Sequence, residues 1–337
     1  MPHREARVIV VAAEDDLTAD LVVRRLGPDA FVRLDPGRLR ETVTAGGRFA
    51  AGTWTTTIDD GRRTVTVGPT TSVYWRKPTR PESHTDADER WRADENTTAL
   101  LGLLRAHPVR WINDPLAVDA SEHKPTQLAS AARCGLRVPD TLFACDPHAA
   151  RAFVADHDDK VVVKALTQRH TTLIPTTRLR ACDDLDAIIG TVHYLQALVE
   201  DRLFDARVTV VGDRVFAASI TTDGALDWRT APVADCRHAA ITPPVDVERA
   251  CVEHVRELGL VYAALDFVVT ADGWTYLETN CAGEFGWIEA LTGLPISTEI
   301  ARLLTHPTHP THPTHPTHPT RATTAIRHRA GPVRARM

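Results

Sequence analysis

The sequence predicts a mixed α/β protein with more than one core, and three observations carry that expectation. Residues 8–13, VIVVAA, are a short apolar run bounded by polar residues, as expected of a buried first strand. From Leu185 to Leu258 helical and β-prone stretches alternate. The chain has 337 residues, 43% of them hydrophobic, enough for roughly two domains with real interiors.

In chain order, residues 1–113 read as one α/β unit: the strand VIVVAA, a helix near Thr18–Leu26 and a strand Phe31–Leu34. A β-rich span Thr53–Val67 turns at Asp59-Asp60-Gly61; strand Thr71–Trp75 runs into Arg76-Lys77-Pro78, and a polar helix Ala87–Ala106 closes the unit. Trp111–Pro115 opens a second region, 114–195. There Pro125 in a first turn, an apolar stripe of Leu128, Ala131 and Ala132, and a stop at Gly135 define a helix. Val138–Leu142 leads out of it, strand Lys160–Val163 ends on Lys164, and a helix is expected near Leu185–Tyr194. A third region, 196–304, begins with strand Ala197–Glu200. A hairpin Arg207–Ile220 turning at Gly212-Asp213, a helix Asp246–Leu258, a second hairpin and a last helix Thr298–Leu304 follow. Residues 305–337 begin with a THP repeat whose regular prolines deny a helix, so this tail is expected to be extended and disordered. Its histidines fix no coordination geometry, and a spacer is the simpler reading.

Composition narrows the function. The net charge of −5 is uneven: beyond Leu304 stand five arginines (Arg321, Arg327, Arg329, Arg334, Arg336) and no acid, which leaves −10 on the rest. A solvated end explains the tail without a nucleic-acid partner. Six scattered cysteines form no zinc-ribbon or disulfide pattern and point to a reduced, cytoplasmic compartment. The first apolar run is too short for a signal peptide, and no run reaches membrane-spanning length.

The most informative stretch is the hairpin containing Asp266, Glu278 and Asn280. Three oxygen ligands at the ends of paired strands suit a hard cation such as Mg²⁺, which in such sites commonly holds a nucleotide's phosphates. Glu278 and Asn280 leave one face of their strand together. Asp266 joins them only in the right register. A two-residue Asp272-Gly273 turn would pair Ala271 with Trp274 and put Asp266 on the opposite face. A three-residue Ala271-Asp272-Gly273 loop, with Gly273 left-handed in a bulge, pairs Thr270 with Trp274 and sets Asp266 across from Glu278. We expect the second.

Two lysines add to this. Lys124 precedes the capped helix, and Lys164 ends a strand, where an ammonium can reach phosphate in a cleft. Taken singly, each also reads as a surface lysine. The apolar segment Gln196-Ala197-Leu198-Val199-Glu200 can offer backbone groups to an adenine edge. Asp205 can accept from ribose hydroxyls, and Arg207 can clamp phosphate or carboxylate.

Lysine, second lysine, hinge strand, acid, then Asp…Glu-x-Asn on a hairpin resembles the ATP-grasp superfamily. The segments Val73–Pro78, Trp111–Leu142, Arg207–Ala217 and Leu265–Ile296 further resemble the ATP-grasp ribosomal peptide maturases that crosslink graspetides, nearest an actinobacterial branch related to the microviridin and plesiocin maturases. The resemblance covers about residues 6–304 and implies an ATP-grasp fold. Residues 1–113 would be a Rossmann-like pre-ATP-grasp domain, 114–195 the central or lid subdomain and 196–304 the catalytic subdomain. It implies that Lys124 and Lys164 contact ATP phosphates, with Lys164 also beside the adenine. Gln196 and Ala197–Val199 would form the hinge, and Asp205 would meet the ribose. Asp266, Glu278 and Asn280 would hold two Mg²⁺, and Arg207 would steady the γ-phosphate or the acceptor carboxylate. Arg76 and Lys77 are weaker candidates for substrate holding, equally readable as a structural salt bridge. The sequence departs from the family at Cys281 and Glu284, at Ala197, and in the glycine-free loop after Lys164, where residues 165–180 would form a lid.

The implied activity is phosphorylation of an Asp or Glu side chain of a ribosomal precursor peptide, followed by attack of a Ser/Thr hydroxyl or Lys amine of the same peptide. Such a reaction needs no protein-borne nucleophile, and no Ser-His-Asp or Cys-His pattern is present. The partner would be the peptide's leader and core, and a homodimer is also implied. Two other readings remain: a carboxylate–amine ligase for small molecules, and a nucleotide-binding pseudoenzyme serving as a peptide-binding subunit.

Overall fold

A computed structural model describes residues 4–167 and 174–306. The THP repeat beyond its first two residues, the basic tail and the middle of the expected lid therefore lie outside the described residues.

The first unit runs β1 (Arg4–Glu5), β2 (Val8–Val11), α1 (Leu17–Val23), β3 (Phe31–Leu34), β4 (Thr44–Ala50), β5 (Thr53–Asp59), β6 (Arg63–Thr66), β7 (Ser72–Trp75), α2 (Ala87–Arg105) and β8 (Arg110–Ile112). The order β3-β2-β7-β8 is parallel throughout. All four residues of β2 are buried, which is why it reads as a continuous apolar run. Asp16 caps α1 by accepting from the Ala19 N–H. A second sheet, β1-β6-β5-β4, ends in an edge strand that the sequence did not announce. Every residue of β4 is exposed, so it carries no alternation to read.

The middle contains α3 (Pro115–Ser121), α4 (Lys124–Arg133), β9 (Thr141–Ala144), α5 (Pro147–Asp156), β10 (Val161–Lys164), β11 (Thr177–Leu179) and β12 (His193–Ala197). Their antiparallel sheet has the order β11-β10-β12-β9. The helix expected near Leu185–Tyr194 is only a 3₁₀ turn, Leu185–Ile188, and the strand that follows begins at His193 rather than Ala197. The buried face of α4 also differs from the expected stripe: Gln127, Ser130 and Ala131 are buried, whereas Ala132 is exposed.

The last part contains β13 (Phe204–Val211), β14 (Arg214–Thr221), β15 (Arg237–Ile241), α6 (Val245–Glu257), β16 (Tyr262–Thr270), β17 (Gly273–Asn280), α7 (Gly286–Thr292) and α8 (Ile296–Thr305). An antiparallel sheet, β15-β14-β13-β16-β17, forms its floor. Ala206, Val208, Leu265 and Phe267 pack with Ala131, Ala250, Cys251 and Val255 of α4 and α6. Elsewhere Val211, Phe216 and Tyr262 join α8 and the first unit's Val8 and Val10.

The β16–β17 hairpin corrects the expected turn. Thr270 pairs with Gly273 and Val269 with Trp274, so the loop is the two residues Ala271-Asp272, and neither register drawn from sequence occurs. Gly273 has φ 125°, a conformation that other residues rarely adopt. Left alone, this tighter turn would set Leu277 opposite Asp266. A bulge between Asp266 and Phe267 leaves Leu277 unpaired and restores Asp266 opposite Glu278. The expected pairing is therefore present for a different reason.

Buried polar groups join the first unit to this sheet. The Asn113 amide donates to the Tyr262 and Cys281 carbonyls at 2.7 and 2.9 Å and accepts from the Val261 and Tyr262 N–H at 2.8 and 2.9 Å. Arg110 ties the same unit to α8 instead, donating to the Leu303 carbonyl at 2.8 Å. The described cysteines are all free, and no described helix is long and apolar enough to cross a membrane.

Candidate active site

Three adjacent strands bring three charges into one row. β13 pairs Arg207 with Asp266 of β16, and β16 pairs Asp266 with Glu278 of β17. Arg207 Nε lies 2.7 Å from Asp266 Oδ1 without aiming its hydrogen at it, so the contact is ionic rather than a hydrogen bond. The Arg207 guanidinium also lies 5.8 Å from the ring centroids of both Trp228 and Trp287. Lys124, at the start of α4, places Nζ 2.7 Å from Glu278 Oε2. Asn280 donates Nδ2–H to Asp266 Oδ2 at 2.9 Å.

The row divides its charge unevenly. Burial pushes the Asp266 carboxyl up, against the pull of Arg207. Burial also acts on Glu278, but Lys124 and Lys164 outweigh it and hold that carboxyl below the ordinary range. Lys164 is itself pushed down by burial, which Glu278 only partly offsets. Its Nζ donates to Gln196 Oε1 at 3.1 Å.

A cavity of about 470 Å³ opens between the two antiparallel sheets. Lys164, Gln196, Ala197, Leu198, Val199, Asp205, Asp266 and Glu278 all line it. Lys124, Arg207 and Asn280 are not among its lining residues but contact Glu278 or Asp266. The hinge is partly committed within the protein: the Ala197 N–H donates to the Asp140 carbonyl at 2.9 Å and the Leu198 N–H to the Lys160 carbonyl at 2.8 Å. Asp205 accepts from Arg202 Nη1 at 2.9 Å, and burial pushes its carboxyl up to about 6 despite that partner.

The Arg76–Lys77 pair lies elsewhere. Arg76 reaches Asp16 at 2.8 Å, Glu284 at 2.5 Å and, more weakly, the Gly283 carbonyl at 3.4 Å. Lys77 reaches Glu284 at 2.6 Å, and Thr18 also donates to that carboxylate. The structure builds the salt bridge, through one contact at each guanidinium nitrogen of Arg76. Glu284 is thus the acceptor of an inter-unit cluster. Gly283 beside it is needed because a Cβ there would stand 2.7 Å from that of Ala264.

The donor set fits Mg²⁺ in part by chemistry and in part by neighbours. Among the described residues no group of three His, Cys, Asp or Glu is arranged for a metal. Two carboxylates with phosphate oxygens are nevertheless a usual Mg²⁺ environment. Asp266 and Glu278 are two such carboxylates, each neutralised by a cation that a metal could relieve. Asn280 would join by turning its carbonyl oxygen inward.

Sequence reasoning missed Arg202, Asp227, Trp228 and Arg229, all on the cavity wall. The signal was local: Asp227 accepts from the Arg229 N–H at 3.1 Å, an Asx-turn that a D-x-R string in a loop can indicate. It also missed Gln127, whose amide donates to the Thr279 carbonyl at 2.8 Å and accepts from its N–H at 3.1 Å.

No family model matches the chain. A probable α-L-glutamate ligase of Mannheimia succiniciproducens is 24% identical over 217 residues, 61% of this chain and 71% of that protein. Solved structures match over nearly their whole length. A RiPP-associated ATP-grasp ligase of Chryseobacterium gregarium, solved with ADP and a leader and core peptide, superposes with TM-score 0.78 at 22% identity, covering 91% of this chain and 98% of that one. The macrocyclase MdnC of Microcystis aeruginosa, bound with precursor peptide MdnA, gives 0.74 at 24%, covering 89% and 99%. The ATP-grasp ligase PsnB, complexed with a phosphomimetic variant of its minimal precursor, Mg and ADP, gives 0.71 at 27%, covering 89% and 97%. Carrying this fold over nearly all of its described length, the chain is an ATP-grasp ligase whose structural neighbours are the RiPP-associated macrocyclases.

Proposed function

We propose that this ligase uses ATP to phosphorylate Asp or Glu side chains of a ribosomal precursor peptide and joins them to Ser/Thr hydroxyls, or to a Lys amine, of the same peptide. The observation that carries the reading is the Arg207–Asp266–Glu278 row, whose Asp266 and Glu278 line the cavity between the two sheets. Of the neighbours of this fold, MdnC was solved with a precursor peptide, the Chryseobacterium ligase with ADP and a leader and core peptide, and PsnB with a precursor variant, Mg and ADP.

A carboxylate acylates poorly because its leaving group would be oxide; phosphorylation replaces that with phosphate. The protein's task is to align carboxylate with γ-phosphate and to oppose the charge that spreads during transfer. In this reading Asp266, Glu278 and Asn280 hold two Mg²⁺, whose chemistry is to neutralise the β- and γ-phosphates. Lys164 meets the phosphates from the cavity wall. Lys124 orients Glu278, with Nζ 2.7 Å from Oε2, and would also oppose phosphate charge. Adenine is read at the hinge by Gln196, the carbonyls of Ala197 and Leu198, and Val199, since the Ala197 and Leu198 amides are committed to the sheet. Asp205 takes the ribose, exchanging it for Arg202. Arg207, beside the packed pair Trp228 and Trp287, faces the acceptor carboxylate, and Arg76 and Lys77 are the peptide-side cations of the first unit. The enzyme works in the cytoplasm as a homodimer. Nucleic acid is not its partner, in keeping with the −10 charge of residues 1–304.

The test is mass spectrometry of the peptide encoded by a short neighbouring reading frame rich in Thr/Ser and Asp/Glu, incubated with the protein, ATP and Mg²⁺. One water should be lost per crosslink. An unchanged peptide mass, with ATP converted to ADP when glutamate and an amine are supplied instead, would favour the second reading, an α-glutamate ligase, which the curated relatives support.

A further inference from the structure

The loop joining β14 to β15 holds a carboxylate that receives donors from two sides of the cavity. Asp227 is only 7% exposed. From its own loop, Arg229 places Nε 2.8 Å from Oδ1 and Nη2 2.6 Å from Oδ2. From the opposite wall, the N–H of Thr176, just before β11, donates to Oδ2 at 3.1 Å. Burial pushes the Asp227 carboxyl up, but Arg229 and Thr176 outweigh it and keep it below the ordinary range. Arg202 secures the same loop from the nucleotide side, donating to the Leu226 carbonyl at 3.1 Å while it holds Asp205.

Arg229 is thereby gripped along its Nε–Nη2 edge, and its Nη1 makes no hydrogen bond among the described residues. The guanidinium lines the cavity, and its pKa is raised first by Asp227 and then, against burial, by Glu278 and Asp266. A planar fork fixed along one edge presents its other edge in one direction.

We propose that Asp227 is a positioning residue: it aims the free edge of Arg229 at the phosphate being transferred and ties Thr176 to the loop opposite, so that ATP use stays coupled to bond formation. The proposal rests on the ligase reading of this site. In the first step a carboxylate oxygen bonds to the γ-phosphorus, and the bond to the β–γ bridging oxygen breaks with its electrons leaving on ADP. In the second, a peptide hydroxyl oxygen bonds to the acyl carbon, the carbon–oxygen bond to phosphate breaks, and the hydroxyl proton passes to the departing phosphate. Water attacking the same carbon returns the free carboxylate and phosphate, consuming ATP without a crosslink. A loose Arg229 and an untied Thr176 favour that loss.

Two measurements test this with full-length protein. Hydrogen–deuterium exchange with ADP and Mg²⁺ needs no peptide. In Asp227→Ala the Thr176 amide should exchange about fivefold faster, the loss of roughly one net hydrogen bond; an unchanged rate overturns the tie. The second is the ratio of ADP to crosslinks with the neighbouring-frame peptide. It should rise several-fold in Asp227→Ala while KM for ATP stays within about twofold. A structural defect alone lowers both products in proportion, and that fixed ratio overturns the proposal. Arg229→Lys keeps the charge without the fork, should also raise the ratio, and decides the matter if the alanine variant does not fold. A wild type that forms no crosslink from that peptide defeats the ligase reading, while the exchange measurement still decides the tie.

Discussion

Replacing Gln127 by Leu should loosen β17, the strand of Glu278 and Asn280, from behind. Thr279 sits between Glu278 and Asn280, and its N–H and C=O are both held by the Gln127 amide, which also donates to the Ser121 carbonyl at 2.8 Å. Gln127 is 1% exposed, so leucine leaves three backbone groups dry and without that partner. At about 1–3 kcal/mol for each, the cost is roughly 3 kcal/mol even at the low end. Native-state hydrogen exchange should then show the Thr279 amide opening about a hundredfold more often, at 1.4 kcal/mol per factor of ten. Turnover should fall about tenfold or more, because small misplacements of aligned groups are costly. An exchange rate changed less than about tenfold would refute the assignment of Gln127 as the support of β17.

Asp266→Ala and Glu278→Ala should each abolish ADP formation while peptide binding, followed by fluorescence anisotropy, stays nearly intact; normal turnover in either would end the metal assignment. Asp205, with its carboxyl raised to about 6, should make KM for ATP climb as pH falls through that value, and Asp205→Asn should flatten the profile. The same raised value favours the folded state below the ordinary Asp range and is lost as pH rises through about 6. His254 has the opposite sign: burial lowers it to about 4, so its contribution is present above about 6.5 and lost as pH falls towards 4. His254→Gln should therefore reduce the loss of urea stability between those pH values, and an unaltered slope would contradict the assignment.

The sequence made some parts of this molecule legible and hid others for identifiable reasons. β2 and the β13–β14 hairpin were readable because burial and alternation are written in their residues. The opposition of Asp266 and Glu278 was anticipated, but through the wrong turn, because a bulge at Leu277 leaves no mark in local composition. The buried face of α4 was misread because it docks on a polar network. Its Ser130 and Gln127 meet His254 and Thr279, so the apolar stripe does not mark the inside. The hinge strand was displaced because Leu185–Ile188 has helical character for only one 3₁₀ turn. Asp227 and Arg229 carry a local Asx-turn signal, but Thr176, Glu278 and Asp266 come near them only through folding.

The cluster around Glu284 bears on how such a chain can be recombined. Arg76, Lys77 and Thr18 reach one carboxylate on the loop that leaves β17, while Asn113 clasps backbone on both sides of the same sheet end. A first unit transplanted from a relative would bring its own versions of these anchors. Unless the recipient offered a matching acid and unblocked carbonyls, the graft would leave a guanidinium stranded in the seam. Chimeras cut near residue 113 should therefore tolerate exchange only when position 284 travels with the donor.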